Sequence, residues 1–194
     1  MFLTISLKKI KYILLGAVLP ALIASGLYMG LSTLYPYKYA GLVLEYSSKY
    51  GLPPSLVCAV IHTESRFDAG AVSYRGASGL MQITKQTADW GAETIGLAGY
   101  SYEKIHDPAI NIELGCWYLN RLLKQFKGHR NVALAAYNAG SGNVSKWLKD
   151  GRLSPDGETL SKIPFEETKN YIKKIDKSIS IYRVYLGLFD GVKE

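Results

Sequence analysis

Glu64 is the first residue whose setting invites chemistry. It lies four residues after Val60 and seven after Val57, the spacing that stacks side chains on one face of a helix. A core-facing helix buries that face, and a carboxyl drawn out of water favours its neutral form, so its pKa rises. A carboxyl still protonated near neutral pH can act as a general acid. The competing reading is a helix-end Glu that turns outward or pairs with Arg66.

Two further segments combine polar and apolar character in ways that suit a sugar or amide ligand. In Gly76-Ala77-Ser78-Gly79-Leu80-Met81-Gln82-Ile83, glycines would let backbone approach a ligand closely, and Gln82 offers both a donor and an acceptor. A tight turn with the Gln82 amide satisfied internally accounts for the same residues. In Ala136-Tyr137-Asn138-Ala139-Gly140, Tyr137 supplies an apolar face for a sugar ring and a hydroxyl, while Asn138 suits a helix end.

Other motifs are incomplete. His62-Thr63-Glu64 matches half of a zinc-deaminase signature, but the Pro-Cys-x-x-Cys half is missing. His106 and His129 have no ligand spacing either, so no metal is expected. Cys58 and Cys116 form no C-x-x-C and read as small buried hydrophobes, or as a disulfide in an oxidising compartment. There is no P-loop and no G-x-S-x-G.

These groups need a scaffold, and the apolar spacing beyond Tyr39 is helical almost throughout. Tyr39, Val43, Tyr46 and Tyr50 form one stripe closed by Gly51; Pro53 and Pro54 then open the helix that carries Glu64. Residues 67–79 read as a loop, followed by a short helix around Thr87 to Gly91. A long helix runs through Ile110, Leu114, Tyr118 and Leu122, and a small-residue helix covers Asn131 to Tyr137. Val144, Trp147 and Leu148 give a turn or two more, and a last helix carries Tyr171, Ile175, Ile179, Tyr182 and Leu186. The expected fold is mainly α, in a single domain over residues 38–194.

Residues 12–37 hold no charge and follow Lys8, Lys9 and Lys11. As a helix they would extend about 39 Å, against a hydrocarbon core of about 30 Å. The segment reads as an uncleaved transmembrane signal anchor, with Tyr35 and Tyr37 at the interface; Ala24-Ser25-Gly26 would serve as the cleavage site of the alternative, a removable signal peptide. Residues 1–11 would then be a short basic cytoplasmic segment and the domain would face the extracytoplasmic side of a single-pass chain.

With 48% hydrophobic and 20% charged residues among 194, the chain is neither disordered nor fibrous. Its net charge of +7 owes four units to the lysines flanking the apolar segment, Lys38 included. The +3 that remains is no basic stripe, so nucleic acid is not an expected partner.

Taken in order, Glu64-Ser65, Gly76 to Ile83, Ala136 to Gly140 and Ile163-Pro164-Phe165-Glu166-Glu167-Thr168 resemble the soluble lytic transglycosylase (SLT) domain of the lysozyme-like superfamily, over about residues 41–190. The resemblance implies a bacterial enzyme that cleaves peptidoglycan glycan strands without a cofactor. It makes Glu64 the single catalytic acid and assigns substrate contacts to Ser65, Ser73, Gln82, Tyr137, Glu167 and Tyr171. Asn138 matches a motif position whose role is structural first. Lys85 stands where many members have proline and Lys169 where they have arginine, which touches only fine substrate positioning.

A glycosidase usually needs two carboxylates, and Asp68, Asp89, Asp107 and Glu113 are all open as the second by composition. The resemblance implies that none is needed: the muramyl acetamido group would assist, and a 1,6-anhydro sugar would form without water. A hydrolytic muramidase using the same Glu64 and a non-catalytic wall-binding scaffold are the alternatives.

Overall fold

The computed structural model describes residues 11–192, so Lys8 and Lys9 of the expected basic segment lie outside the described residues. Two compact units divide at Pro36 and Tyr37. The first contains one helix, Lys11–Leu34, long and apolar enough to cross a membrane. Its regular part is α1 (Leu19–Leu34), preceded by a π-helical turn, Leu14–Val18. Pro20 explains the turn: it lacks an N–H, and its ring would clash with the carbonyl of Gly16 four residues earlier.

The second unit is built on α2 (Ala40–Tyr50), α3 (Pro54–Ser65), α4 (Lys85–Ile95), α5 (Pro108–Gln125), α6 (Arg130–Ala139), α7 (Ser141–Lys149) and α8 (Glu166–Phe189). Helix α3 is its axis. Pro54 starts it with the preset φ of a first helical position, and every residue from Ser55 to Ile61 is buried. A helix buried on all sides must be wrapped; α8 supplies the most extensive neighbour and α2 another. Helix α8 answers with Tyr171, Ile175, Ile179, Tyr182 and Leu186, all buried.

Residues 67–79 are more ordered than a plain loop. Val72 bridges Ser78, and β1 (Ala77–Ser78) pairs antiparallel with β2 (Ile83–Thr84), in the register Ala77↔Thr84 and Ser78↔Ile83. Strands of two residues carry no readable alternation. Helix α4 also outruns its expected span. Thr84 caps it by accepting from the Thr87 N–H, and Gly96 ends it at φ 65°; its buried residues are Ala88, Gly91 and Ala92, too small to form an apolar stripe. Cys58 and Cys116 are buried and are not joined in a disulfide.

Candidate active site

Glu64 occupies the last turn of α3, where the helix stops because Arg66 and Phe67 both turn left-handed, at φ 53° and 63°. Non-glycine residues pay for that conformation in strain, and here the buried Phe67 ring, 1% exposed, pins the turn. Arg66 caps the helix as an exposed side chain and forms no ion pair with Glu64 among the described residues. The carboxyl faces α8 instead: the Tyr171 hydroxyl donates to Glu64 Oε1 at 2.7 Å.

This setting holds the Glu64 carboxyl up at about 7 against an ordinary 4.5. Burial is the main cause; the Glu167 carboxylate adds to it, and the Tyr171 hydrogen bond opposes it by favouring the ionised form. The residue is nonetheless part-exposed, so one side of it stays open to a ligand. Two phenols complete the wall. Tyr171 and Tyr137 are both held well above the usual phenol range, by burial first and by the Glu64 charge next, so both remain O–H donors.

Tyr137 projects from α6, and its hydroxyl donates to the Met81 carbonyl at 2.9 Å. The Met81 N–H in turn donates to Asn111 Oδ1 at 2.7 Å, while Asn111 Nδ2 donates to the Ser78 and Ile105 carbonyls at 3.0 and 2.9 Å. Gly79 is required beside it, because φ is +79° and a Cβ would strike the Asn111 amide and the Ile105 carbonyl. The glycine is thus fixed by this internal approach. Replacing Tyr137 with Phe should cost about 1 kcal/mol of stability for one lost hydrogen bond, read as a lower denaturation midpoint with an unchanged m-value.

The other expected contact residues serve the scaffold to different degrees. Ser65 Oγ is aimed at the Leu80 carbonyl, 2.8 Å away, and ties α3 to the hairpin. Ser73 Oγ accepts from the Ala77 N–H at 3.0 Å. Gln82, strained at φ 50°, donates its amide protons to the Ala71 and Gly79 carbonyls, at 3.1 and 2.9 Å, so the turn satisfies the amide internally. Asn138 Oδ1 accepts from Thr168 Oγ1 at 2.7 Å and joins α6 to the start of α8. Glu167 is exposed, with Arg75 of the 67–79 segment 3.7 Å away.

Glu64, Tyr171 and Tyr137 therefore come together with the Gly79–Gln82 turn, whereas Ser65, Ser73 and Asn138 face backbone or side-chain partners around it. Asn111 and Arg75 escaped the sequence reading. Asn111 carries the same signal as Glu64, a polar residue three and seven positions before Leu114 and Tyr118 on a core-facing stripe; Arg75, in a loop, carries none.

The four alternative carboxylates are committed elsewhere. Asp68 accepts from the Gly70 N–H, and Asp107 caps α5. Asp89 holds Lys85 at 2.5 Å and Tyr100 at 3.2 Å. Glu113, 6% exposed, pairs with Lys49 at 2.5 Å. No group of three or more His, Cys, Asp or Glu side chains suited to a metal occurs among the described residues.

Residues 41–156 match the family described as Transglycosylase SLT domain. The chain belongs to that family. It is similar to the soluble lytic murein transglycosylase of Escherichia coli (strain K12), with 36% identity over 169 residues, 86% of this chain and 26% of that one. Similarity also extends to the membrane-bound lytic murein transglycosylase C of Histophilus somni (strain 2336), 32% identical over 172 residues, 76% of this chain and 46% of that one. The solved structure of an inactive mutant of lytic transglycosylase Slt from Pseudomonas aeruginosa superposes with a TM-score of 0.72 at 36% identity, covering 81% of this chain and 26% of that one. The SLT chain described here thus spans about a quarter of the soluble relatives and under half of the membrane-bound one. Its mainly helical fold is the one that the Pseudomonas aeruginosa Slt structure has over the matched region.

Proposed function

We propose that this SLT chain is a membrane-anchored lytic transglycosylase of bacterial peptidoglycan, with Glu64 as its single acid and base. The observation that carries the reading is the Glu64 carboxyl itself, buried enough to keep its proton near pH 7 and open on one side. The murein transglycosylase relatives support the substrate, and the commitments of Asp68, Asp89, Asp107 and Glu113 support a cycle with one carboxylate.

In that cycle Glu64 gives its proton to the oxygen joining N-acetylmuramic acid to N-acetylglucosamine, and the C1–O bond breaks. The acetamido oxygen of the muramyl residue bonds to C1 and stabilises the developing cation. Ionised Glu64 then takes the proton of the muramyl 6-hydroxyl, whose oxygen displaces the acetamido oxygen at C1. Glu64 ends protonated, no water is consumed, and the product is 1,6-anhydromuramic acid. Tyr171 steadies the ionised stage through its hydrogen bond, while Gln82 Oε1, Ser73 and Glu167 line the approach.

Mass spectrometry of fragments released from purified peptidoglycan by the full chain tests this reading. Anhydromuramyl ends are expected; reducing ends would mean a hydrolytic muramidase, and binding without release a wall-binding scaffold.

The membrane-bound relative and the apolar Lys11–Leu34 helix support membrane association. The lysines before that helix favour an extracytoplasmic catalytic domain on a single span, with residues 12–37 as anchor. Tethering would confine cutting to wall within reach of the membrane.

The pH profile follows from the causes of the Glu64 shift. Since the first step needs a protonated carboxyl, kcat/KM should fall as pH rises through about 7. Tyr171→Phe removes a partner of the ionised form and should move that limb to higher pH, whereas Glu167→Gln removes a like charge and should move it to lower pH. Profiles of the two variants that shift the same way would contradict the assignment.

A further inference from the structure

The last two turns of α8 carry an apolar stripe on the side away from the core. Tyr182, Tyr185 and Leu186 are buried, whereas Val184 is 60% and Leu188 74% exposed, and Ile181 is part-exposed. Positions 181, 184 and 188 follow steps of three and four, so their side chains share one face. Continued toward the N-terminus, that face turns cationic, with Lys173 and Lys177 exposed on it and Lys174 beside it.

The same end of α8 receives the chain arriving from the apolar helix. The Tyr37 hydroxyl donates to the Asp190 carboxylate, and its ring centroid lies 6.5 Å from that of Tyr182 and 6.2 Å from that of Tyr185. Leu34 is the last residue of the apolar helix. Three residues of chain reach at most about 11 Å, so the linker between Leu34 and Tyr37 is short.

We propose that Ile181, Val184 and Leu188 form a second contact with the bilayer, seated where headgroups meet acyl chains, with Lys173 and Lys177 against anionic headgroups. The inference rests on the membrane-anchor reading above. An apolar face flanked by lysines is the pattern of helices that lie in a membrane interface, and long lysine stems reach from the apolar zone to the headgroups. Pairing two copies through the same stripe with their helices parallel would set Lys177 against Lys177, which disfavours that arrangement.

The contact has a consequence for the reaction. One tether leaves a domain free to turn about its linker, whereas a second point of contact limits its tilt. Tyr171, the partner of Glu64, precedes Leu188 by 17 residues on α8, about 26 Å of helix. With Lys173 and Lys177 also at the headgroups, helix α8 lies along the surface, which keeps Glu64 within that distance of the membrane and restricts it to glycan strands in that layer.

The test uses the full chain carrying Leu188→Cys, labelled with a polarity-sensitive dye; Cys58 and Cys116 are buried and leave position 188 the accessible thiol. The protein is reconstituted into vesicles of phosphatidylethanolamine and phosphatidylglycerol containing a lipid with a nitroxide at the carbonyl level. A label at Asn143→Cys, exposed on α7, serves as reference. Nitroxide quenching roughly twofold stronger at 188 than at 143, with weaker quenching by iodide, is the expected result. Equal iodide access at the two positions, on protein that resists alkaline extraction, would overturn the second contact while leaving the anchor intact. Release by alkaline extraction would sink the anchor reading and this proposal with it. Protection that disappears as the protein is diluted in lipid would assign the stripe to a second copy instead.

Discussion

Glu64→Gln should lower the release of anhydromuropeptides by about three orders of magnitude or more, in a chain that folds normally. The amide keeps the shape of the side chain and can still accept from Tyr171, but it has no proton to give and cannot receive one. Because one group serves as acid and then as base, its loss affects both halves of the cycle. Turnover within tenfold of the parent would remove Glu64 from the mechanism.

Stability supplies a second readout for the same variant. The Glu64 carboxyl titrates at about 7 when folded and near its ordinary 4.5 when unfolded. Below the lower value both states are protonated. As pH rises through the upper one, the folded state must hold a charge in a setting that disfavours it, so stability declines. Gln escapes that loss. The variant should melt above the parent at pH 8, with the gap closing toward pH 4; a gap of the same size at both pH values would mean that the shift is absent.

Asn111→Ala should be the most damaging change outside the catalytic group. The side chain is fully buried and makes three hydrogen bonds to backbone, at Met81, Ser78 and Ile105. Alanine leaves one N–H and two carbonyls without partners, at more than about 1 kcal/mol each, so a loss of about 3–5 kcal/mol is expected. That is a large part of a domain's stability and corresponds to a drop of roughly 10 °C in Tm by calorimetry. Since Met81 also accepts the Tyr137 bond, surviving folded protein should show reduced kcat. A shift of only a degree or two would show that the turn is held by other contacts.

Much of this architecture was legible because helices advertise themselves through spacing. The stripe of Tyr171, Ile175, Ile179, Tyr182 and Leu186 located α8, and all five residues are buried. Helix α4 was read too short because its packed face is made of alanine and glycine, and the hairpin was missed because its strands have two residues each. The Asn111 anchor was available from the same anomaly that singled out Glu64, a polar group on a core stripe. Resemblance, rather than periodicity, named Ser65, Ser73, Glu167 and Tyr171, since nothing local marks a residue whose role depends on a distant partner.

By itself, then, the sequence determined the helical frame, the family and the acid worth attention, all of which follow from local spacing and motif order. Only the tertiary structure decided what surrounds that acid. Tyr171 reaches Glu64 across 107 residues of sequence, and Gln82 turns its amide protons inward to loop carbonyls. Burial and proximity set the charge state of a carboxyl, and both are properties of packed helices rather than of any one segment.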